Sequence, residues 1–470
     1  MKVSPNPYVG LFQKQREHYL EVGRHSHKER LARLKDLKRA LEHQYRQAIR
    51  EALYADFKKP FLETDLTEIY PVLAEIRYAE QNLRDWMRPK RVNSPLPMLG
   101  SRSYIRYESK GVCLILSPWN FPLNLTFGPL VSAIAAGNCC ILKPSEATPA
   151  TSQVMQEIVE DLFDPSEIAL VQGEVETAQA LLDLPFHHIF FTGSPTVGKI
   201  VMKAASRHLS SVTLELGGKS PAFVDETAAM GTTAKRLAWG KCLNAGQICV
   251  APDYVLVTEK AKDALVTALI EQLDSFFPDT PERSESYARI INEKHLKRLS
   301  ESLEDATSRG ARILHGGNLD AKTKYFEPTL LEGVPEDARL LEEEIFGPIL
   351  PIVTVSGVEE AIAFINRRER PLALYIYSRD SQTIERINTE TRAGSGCINH
   401  NVVHYSNHHL PFGGVNNSGI GKSHGFYGFL EFSNQRSIVR QYTPSSIELL
   451  MPPYTGFKQK MVDATLRWFK

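Results

Sequence analysis

A thiol, a carboxylate and an amide stand in sequence settings where each could do chemistry. Cys249 closes the segment Asn244-Ala245-Gly246-Gln247-Ile248-Cys249, a small, polar turn that leaves its sulfur open to substrate. A thiolate there is a nucleophile. A free cysteine is more commonly a small buried apolar residue, and Cys113, Cys139 and Cys140, set within apolar runs, fit that description. Glu215 ends the apolar run Val212 to Leu214 and precedes Gly217-Gly218, which puts its carboxylate at the carboxyl end of a strand beside flexible backbone. Partly desolvated, it is a base for activating water; ion-paired at the surface, it is only structural. Asn120 lies in Ser117-Pro118-Trp119-Asn120-Phe121-Pro122, where two prolines fix the loop and the direction of the amide. Such an amide is an oxyanion donor or a turn residue bonding its own backbone.

Other segments could grip a ligand. Leu142-Lys143-Pro144-Ser145-Glu146 leaves a strand at the same sheet edge, so Lys143 and Glu146 either hold a nucleotide ribose or pair with each other. Thr192-Gly193-Ser194-Pro195-Thr196-Val197-Gly198-Lys199 follows a strand and opens a helix, whose free N–H groups suit a phosphate. Gly193, Gly198 and Lys199 also satisfy the P-loop spacing, but Ile200 stands where the magnesium-binding Ser or Thr belongs. Gly421-Lys422-Ser423 fails at the other end, with Asn416 in place of the first Gly. His400, His404 and His408 recur every fourth residue, a ligand spacing on a helix, yet Asn399, Asn401, Ser406 and Asn407 mark a loop, and no metal is expected.

The elements that must carry these groups read as α/β. Leu31, Leu34, Leu37, Leu41, Tyr45 and Ile49 trace one amphipathic helix, and Val72, Ile76, Ala79, Leu83 and Trp86 another. Pro89 to Ser103, with Pro95, Pro97 and Gly100, reads as a connector. From Val112, short apolar runs (Val112 to Leu116, Cys139 to Leu142, Ile168 to Val171, His188 to Phe191, Val212 to Leu214) alternate with helical segments, the order of a parallel sheet with crossovers. A second α/β region begins near Lys219 and includes Tyr254 to Val257, Ile349 to Val353 and Leu372 to Tyr377.

The chain has 470 residues, enough for two or three domains. Its 55 basic and 55 acidic residues cancel, which argues against a nucleic-acid partner. Six cysteines without a CxxC pair fit a reducing, cytoplasmic setting. Met1 to Arg30 lacks an apolar signal core, and no run reaches the ~18 apolar residues of a membrane span. Lys458, Lys460, Arg467 and Lys470, with Met461, Leu466, Trp468 and Phe469, form a basic amphipathic end, read as a frayed solvated helix.

Together, Pro118 to Pro122, Lys143 to Glu146, Thr192 to Lys199, Leu214-Glu215-Leu216-Gly217-Gly218-Lys219, Asn244 to Val250, Glu344-Ile345-Phe346-Gly347-Pro348 and Pro411-Phe412-Gly413-Gly414 resemble the aldehyde dehydrogenase superfamily in order and spacing. The resemblance runs from about Arg30 to Arg440. The absence of an N-terminal extension, Trp239-Gly240-Lys241 and Ala251-Pro252-Asp253-Tyr254 make it most like the class 3 branch, with its aromatic, medium-chain and fatty aldehyde enzymes. It implies two Rossmann-like parallel-sheet domains plus a small oligomerisation element near Tyr104 to Glu108 and after Gly425: residues 1–90 and 108–217 for NAD(P), 218–415 for catalysis, and 91–107 with 416–470 for oligomerisation and the tail.

By that resemblance Cys249 attacks an aldehyde, Asn120 and the Cys249 N–H hold the oxyanion, and Glu215 activates the water that hydrolyses the thioester. Lys143 and Glu146 hold the adenine ribose, and Gly193, Ser194, Val197 and Gly198 open the helix beneath the pyrophosphate. Glu344 takes the nicotinamide ribose and Phe346 packs near the ring. Glu146 repels a 2'-phosphate, which ranks NAD first with NADP admitted, and a homodimer is implied. Pro195 and Thr196 depart from the family's usual turn, His400 replaces an Asp beside the active-site entrance, and no hydrophobic tail or prenylation box is present. The alternatives are an acylating, coenzyme A-dependent dehydrogenase, against which Glu215 argues, a P-loop-like nucleotide hydrolase, and a non-enzymatic binding protein on the same fold.

Overall fold

The computed structural model describes residues 6–95 and 98–468; Met1, Pro97, Phe469 and Lys470, named above, lie outside the described residues. The apolar runs from Val112 onward become the strands Val112–Leu116, Cys139–Lys143, Ile168–Leu170, His188–Gly193 and Ser211–Leu216. All five run parallel, and the first two are buried at every position, because helices cover both faces and leave no polar face to alternate with. Across the sheet, Ser211–Leu216 lies beside His188–Gly193, then Val112–Leu116, Cys139–Lys143 and Ile168–Leu170, with the two-residue strand Gly419–Ile420 closing the first edge antiparallel. The chain order therefore reverses between Val112–Leu116 and His188–Gly193, where a doubly wound sheet opens a crevice beyond its carboxyl ends. The loops carrying Asn120 and Gly193-Ser194 leave those two strands.

A second, seven-stranded sheet contains Pro221–Val224, Tyr254–Thr258, Thr329–Glu332, Ile349–Val355, Ala373–Tyr377 and Ser395–Ile398 in parallel, with Arg312–His315 antiparallel at one edge. Helix Met230–Cys242 packs beside it and delivers the chain into the Cys249 loop. A third sheet is antiparallel and pairs Ser101–Ser109 with Ser433–Gln441 on one side and Lys90–Val92 on the other.

Two expectations change. The segment from Pro89 to Ser103 is no simple connector, since Lys90–Val92 forms a strand against Ser103 to Ile105; β-branched Val92 and unpaired edge amides outweigh the turn residues that follow. The stripe from Leu31 to Ile49 is two helices, His27–Arg39 and Arg46–Phe57, joined by the wide turn Ala40–Gln44. That turn inserts an i→i−5 bond from Tyr45 to Ala40 and keeps both Leu41 and Ile49 in the core, so the pattern alone could not reveal the break. At the far end, residues 456–468 form an exposed helix. Among the described residues, no helix is long and apolar enough to cross a membrane.

Candidate active site

Cys249 stands in the wall between two cavities. One is the crevice at the sheet's reversal point, about 530 Å³, lined by Asn120, Thr192, Gly193, Ser194, Glu215, Cys249, Glu344 and Phe346 among others. The other, about 240 Å³, is enclosed mostly by apolar and aromatic side chains, including Tyr70, Phe121, Trp239, Ile248 and Tyr405. Cys249 and Leu125 line both. Cys249 is half-buried, while Cys113, Cys139 and Cys140 are buried as expected of core residues.

The loop before the sulfur is held under strain. Asn244 and Ala245 take φ of 51°, a left-handed conformation that costs a non-glycine residue roughly 1–2 kcal/mol. Gly246 follows at φ 73°, and a Cβ on it would run into the Gly347 carbonyl. Buried side chains offset that cost. The Asn244 N–H donates to Glu63 Oε1 at 2.7 Å, and Asn244 Nδ2 to the Asn120 carbonyl at 2.9 Å. Gln247 donates to the carbonyls of Asn244 and Arg289 and accepts from the Ile291 N–H, so both amide hydrogens and the amide oxygen are engaged. Asn120 Nδ2 donates to the Gln247 carbonyl at 3.0 Å. An amide nitrogen carries two hydrogens, and the second is left for the crevice that Asn120 lines.

Glu215 enters from the end of its strand, buried, and accepts a hydrogen bond from the Ser423 hydroxyl. Burial pushes its carboxyl up to about 7, against the opposing pull of Ser423 and Lys422. The result is a base poised near neutrality. Burial likewise pushes the Cys249 thiol up, with the Glu344 and Glu215 carboxylates adding to the shift, so the sulfur rests protonated.

Glu344 is presented by a braced loop. Lys219 pairs with Asp253 and donates to the carbonyls of Leu340 and Glu343; Asp253 accepts from the Ile345 N–H at 3.0 Å, and Arg298 donates to the Ile345 carbonyl at 2.6 Å. Phe346 follows with φ 47° and meets Trp119 edge-on, ring centroids 5.3 Å apart. A Cβ on Gly217 would collide with the Glu344 carboxylate, which is why the residue opposite has no side chain. Burial, then Asp253, pushes the Glu344 carboxyl up to about 8, and its Oε1 is buried without a hydrogen-bond partner. An orphaned acceptor in an open crevice fits a ligand hydroxyl such as that of a ribose. Across the crevice, Ser194 caps helix Pro195–Ala205, accepting from the Val197 N–H, and the helix N-terminus faces the same space, the donor set that suits a pyrophosphate. The site therefore fits a dinucleotide.

The structure brings together Asn120, Glu215, Cys249, Gly193, Ser194, Glu344 and Phe346 around one cavity. Lys143 and Glu146 are not among its lining residues; they form an ion pair at 2.9 Å where strand Cys139–Lys143 ends. Val197 and Gly198 belong to the first turn of the capped helix, with Gly198 packed on Leu216. The sequence reading missed His295 and Arg298 in the crevice wall, and Ser423 on Glu215. Only Ser423 carried any local signal, as part of the failed P-loop match. The histidine series lies on no continuous helix: only His404 falls in a helical turn, Val403–Ser406, where it contacts Ser395 and Cys397, while His408 contacts Glu75.

A doubly wound dinucleotide crevice opening onto a thiol and two buried carboxylates defines a nicotinamide-dependent dehydrogenase. The chain belongs to the aldehyde dehydrogenase family: the family model described as "Aldehyde dehydrogenase family" matches residues 11–438. It is 45% identical over 435 residues to the 4,4'-diaponeurosporen-aldehyde dehydrogenase of Staphylococcus aureus, covering 93% of this chain and 94% of the relative. It is 44% identical over 410 residues to human aldehyde dehydrogenase family 3 member B1, covering 87% and 86%. The solved substrate-bound state of Staphylococcus aureus AldH superposes with a TM-score of 0.94 at 42% identity, with both chains covered in full. The protein is thus an oxidoreductase that converts aldehydes to acids with NAD(P), and its fold is that of this family.

Proposed function

We propose that the protein oxidises hydrophobic aldehydes, aromatic or medium- to long-chain, with Cys249 as nucleophile, Asn120 as oxyanion donor and Glu215 as the base of acid release. The observation that carries this reading is the position of Cys249, shared by a polar crevice and an apolar cavity. The aldehyde lies in the apolar cavity with its carbonyl at the sulfur. The Cys249 thiol gives its proton to water in the crevice and attacks as thiolate; as the carbon–sulfur bond forms, the carbonyl oxygen takes the electron pair and becomes an anion, which the second N–H of Asn120 and the Cys249 N–H stabilise. A nicotinamide held in the crevice by Glu344 and the helix at Ser194 would supply the acceptor for the hydride whose loss turns the thiohemiacetal into the thioester, and a positive ring that would favour the thiolate. Glu215 then takes a proton from water, hydroxide attacks the thioester carbon, and the carbon–sulfur bond breaks to release the acid.

Glu344 and the capped helix at Ser194 hold the nucleotide, NAD before NADP, and Phe346 limits where the ring can lie. Lys143, with Glu146 beside it, offers a buried ammonium to the far ribose; Val197 and Gly198 supply backbone N–H groups. Residues 1–90 and 108–217, with the first sheet, serve the nucleotide and 218–415 catalysis, while 91–107 and 416–470, which supply strands of the antiparallel sheet, make a homodimer contact. Six free thiols support a reducing, cytoplasmic setting.

The test is Glu215→Gln. The first burst of NADH is retained, and steady turnover falls by about 100-fold or more. In the unaltered enzyme, acid release follows the Glu215 carboxylate, so its rate is full above pH about 7 and falls as pH drops through that value. A variant without a burst, or a hydrolysis rate flat from pH 5 to 8, overturns the assignment. Coenzyme A added to the assay leaves the product a free acid.

A further inference from the structure

Behind Glu215, on the side away from the nucleotide crevice, lies a cluster that the reaction so far leaves unused. Glu75, on helix Tyr70–Trp86, is buried and accepts from the Gly425 N–H at 3.0 Å; its Oε1 lies 2.9 Å from His408 Nδ1 and 3.5 Å from His424 Nδ1. The two imidazoles stack with centroids 5.8 Å apart. If the cluster were only a clamp, its polar atoms would be fully paired, yet His408 Nε2 is buried without a hydrogen-bond partner and His424 Nδ1 has only its long, 3.5 Å approach to Glu75. A small cavity of about 20 Å³ joins this cluster to the active site, lined by Glu75, His408, His424, Ser423 and Glu215. That volume holds one water, and the carboxylates, hydroxyl and imidazoles supply its partners.

We propose that Glu75, His408 and His424 form a proton outlet for Glu215, an inference that rests on Glu215 being the base. In hydrolysis, water gives a proton to Glu215, its oxygen bonds the acyl carbon, and the Cys249 sulfur leaves with the electron pair. Glu215 is now a neutral acid and must lose that proton before the next turnover. It passes the proton through Ser423 or the cavity water to His424. A neutral imidazole accepts on one nitrogen while releasing from the other, here toward Glu75 and His408. His408 takes it at Nδ1 from Glu75; its Nε2 is buried, and the ring, 11% exposed, turns to release the proton to solvent. Glu215 returns to carboxylate, and one proton leaves per acid formed. Burial holds His424 down at about 4, so it carries the proton only in transit. The other charged or titratable groups facing this path are Lys422 and Glu431 beside Glu215, and His404 and Tyr405 beside His424.

Rapid-quench measurement of acid release after the NADH burst tests the outlet in His424→Ala, His408→Gln and Glu75→Gln. The expected result is an unchanged burst rate and amplitude with acid release slowed by about 100-fold. Added imidazole restores most of the lost rate in His424→Ala, which a purely structural role would not permit. His408→Gln keeps the outlet testable if a change at buried Glu75 or His424 prevents folding. Acid release at the unaltered rate in all three variants, or burst and release falling together without rescue, overturns the outlet. If Glu215→Gln itself releases acid at the normal rate, the base assignment fails and the outlet with it. If Glu215→Gln stalls while the cluster variants do not, the outlet alone fails.

Discussion

The two cavities that meet at Cys249 are built on opposite principles. The crevice presents carboxylates that burial has pushed toward neutrality, an orphaned Glu344 oxygen and a helix N-terminus, all aimed at positions where charge appears or moves. The apolar cavity presents Trp239, Phe121, Tyr70 and Ile248, which distinguish ligands by shape and dehydration. On the proposed reading, rate is set on one side and choice on the other. Changes in the crevice should therefore slow every aldehyde alike, and changes in the apolar cavity should reorder aldehydes.

The most severe break of that division is Cys249→Ser, which removes the group both cavities share: NAD reduction with every aldehyde falls by on the order of 10⁴-fold or more, read as absorbance of the reduced nucleotide. Lys59→Met comes next and tests the partition between the cavities. Lys59 and Glu68 form an ion pair with both side chains fully buried, Lys59 Nζ sits 3.9 Å from the Phe121 ring centroid, and Glu68 accepts from the Asn124 N–H. Stranding the Glu68 carboxylate costs about 3–5 kcal/mol in urea unfolding, and both cavities lose definition together. Asn120→Ala, on the crevice side, lowers kcat by about 10²–10³-fold for short and long aldehydes equally. The smallest effect is also the most selective: Trp239→Leu leaves a short aliphatic aldehyde within about twofold but lowers kcat/KM for an aromatic one by about 10-fold. Equal losses for both aldehydes in Trp239→Leu, or a selective loss in Asn120→Ala, would erase the distinction between the sides.

Much of this was legible in the sequence. The buried strands announced themselves because a parallel sheet covered on both faces requires uninterrupted apolar runs, and their carboxyl ends bring residues to the crevice, Gly193 and Glu215 from the last two positions of their strands and Asn120 from the loop after its own. What stayed hidden are contacts with no local signature. Ser423 reaches Glu215 across 208 residues, and Glu75 holds Gly425 across 350. Phe346 and Ala245 adopt left-handed backbone that their side chains disfavour, so no propensity points to them. The wide turn at Ala40–Gln44 was invisible because it preserves the very burial pattern from which a continuous helix is read.

Apart from Leu125 and Cys249, the two cavities share no lining residue, so on the proposed reading nucleotide and aldehyde contact almost separate sets of side chains. A small greasy inhibitor lodged beside Trp239 would compete with aldehyde yet leave nucleotide affinity untouched, and the abortive assembly of oxidised nucleotide with acid product is geometrically allowed.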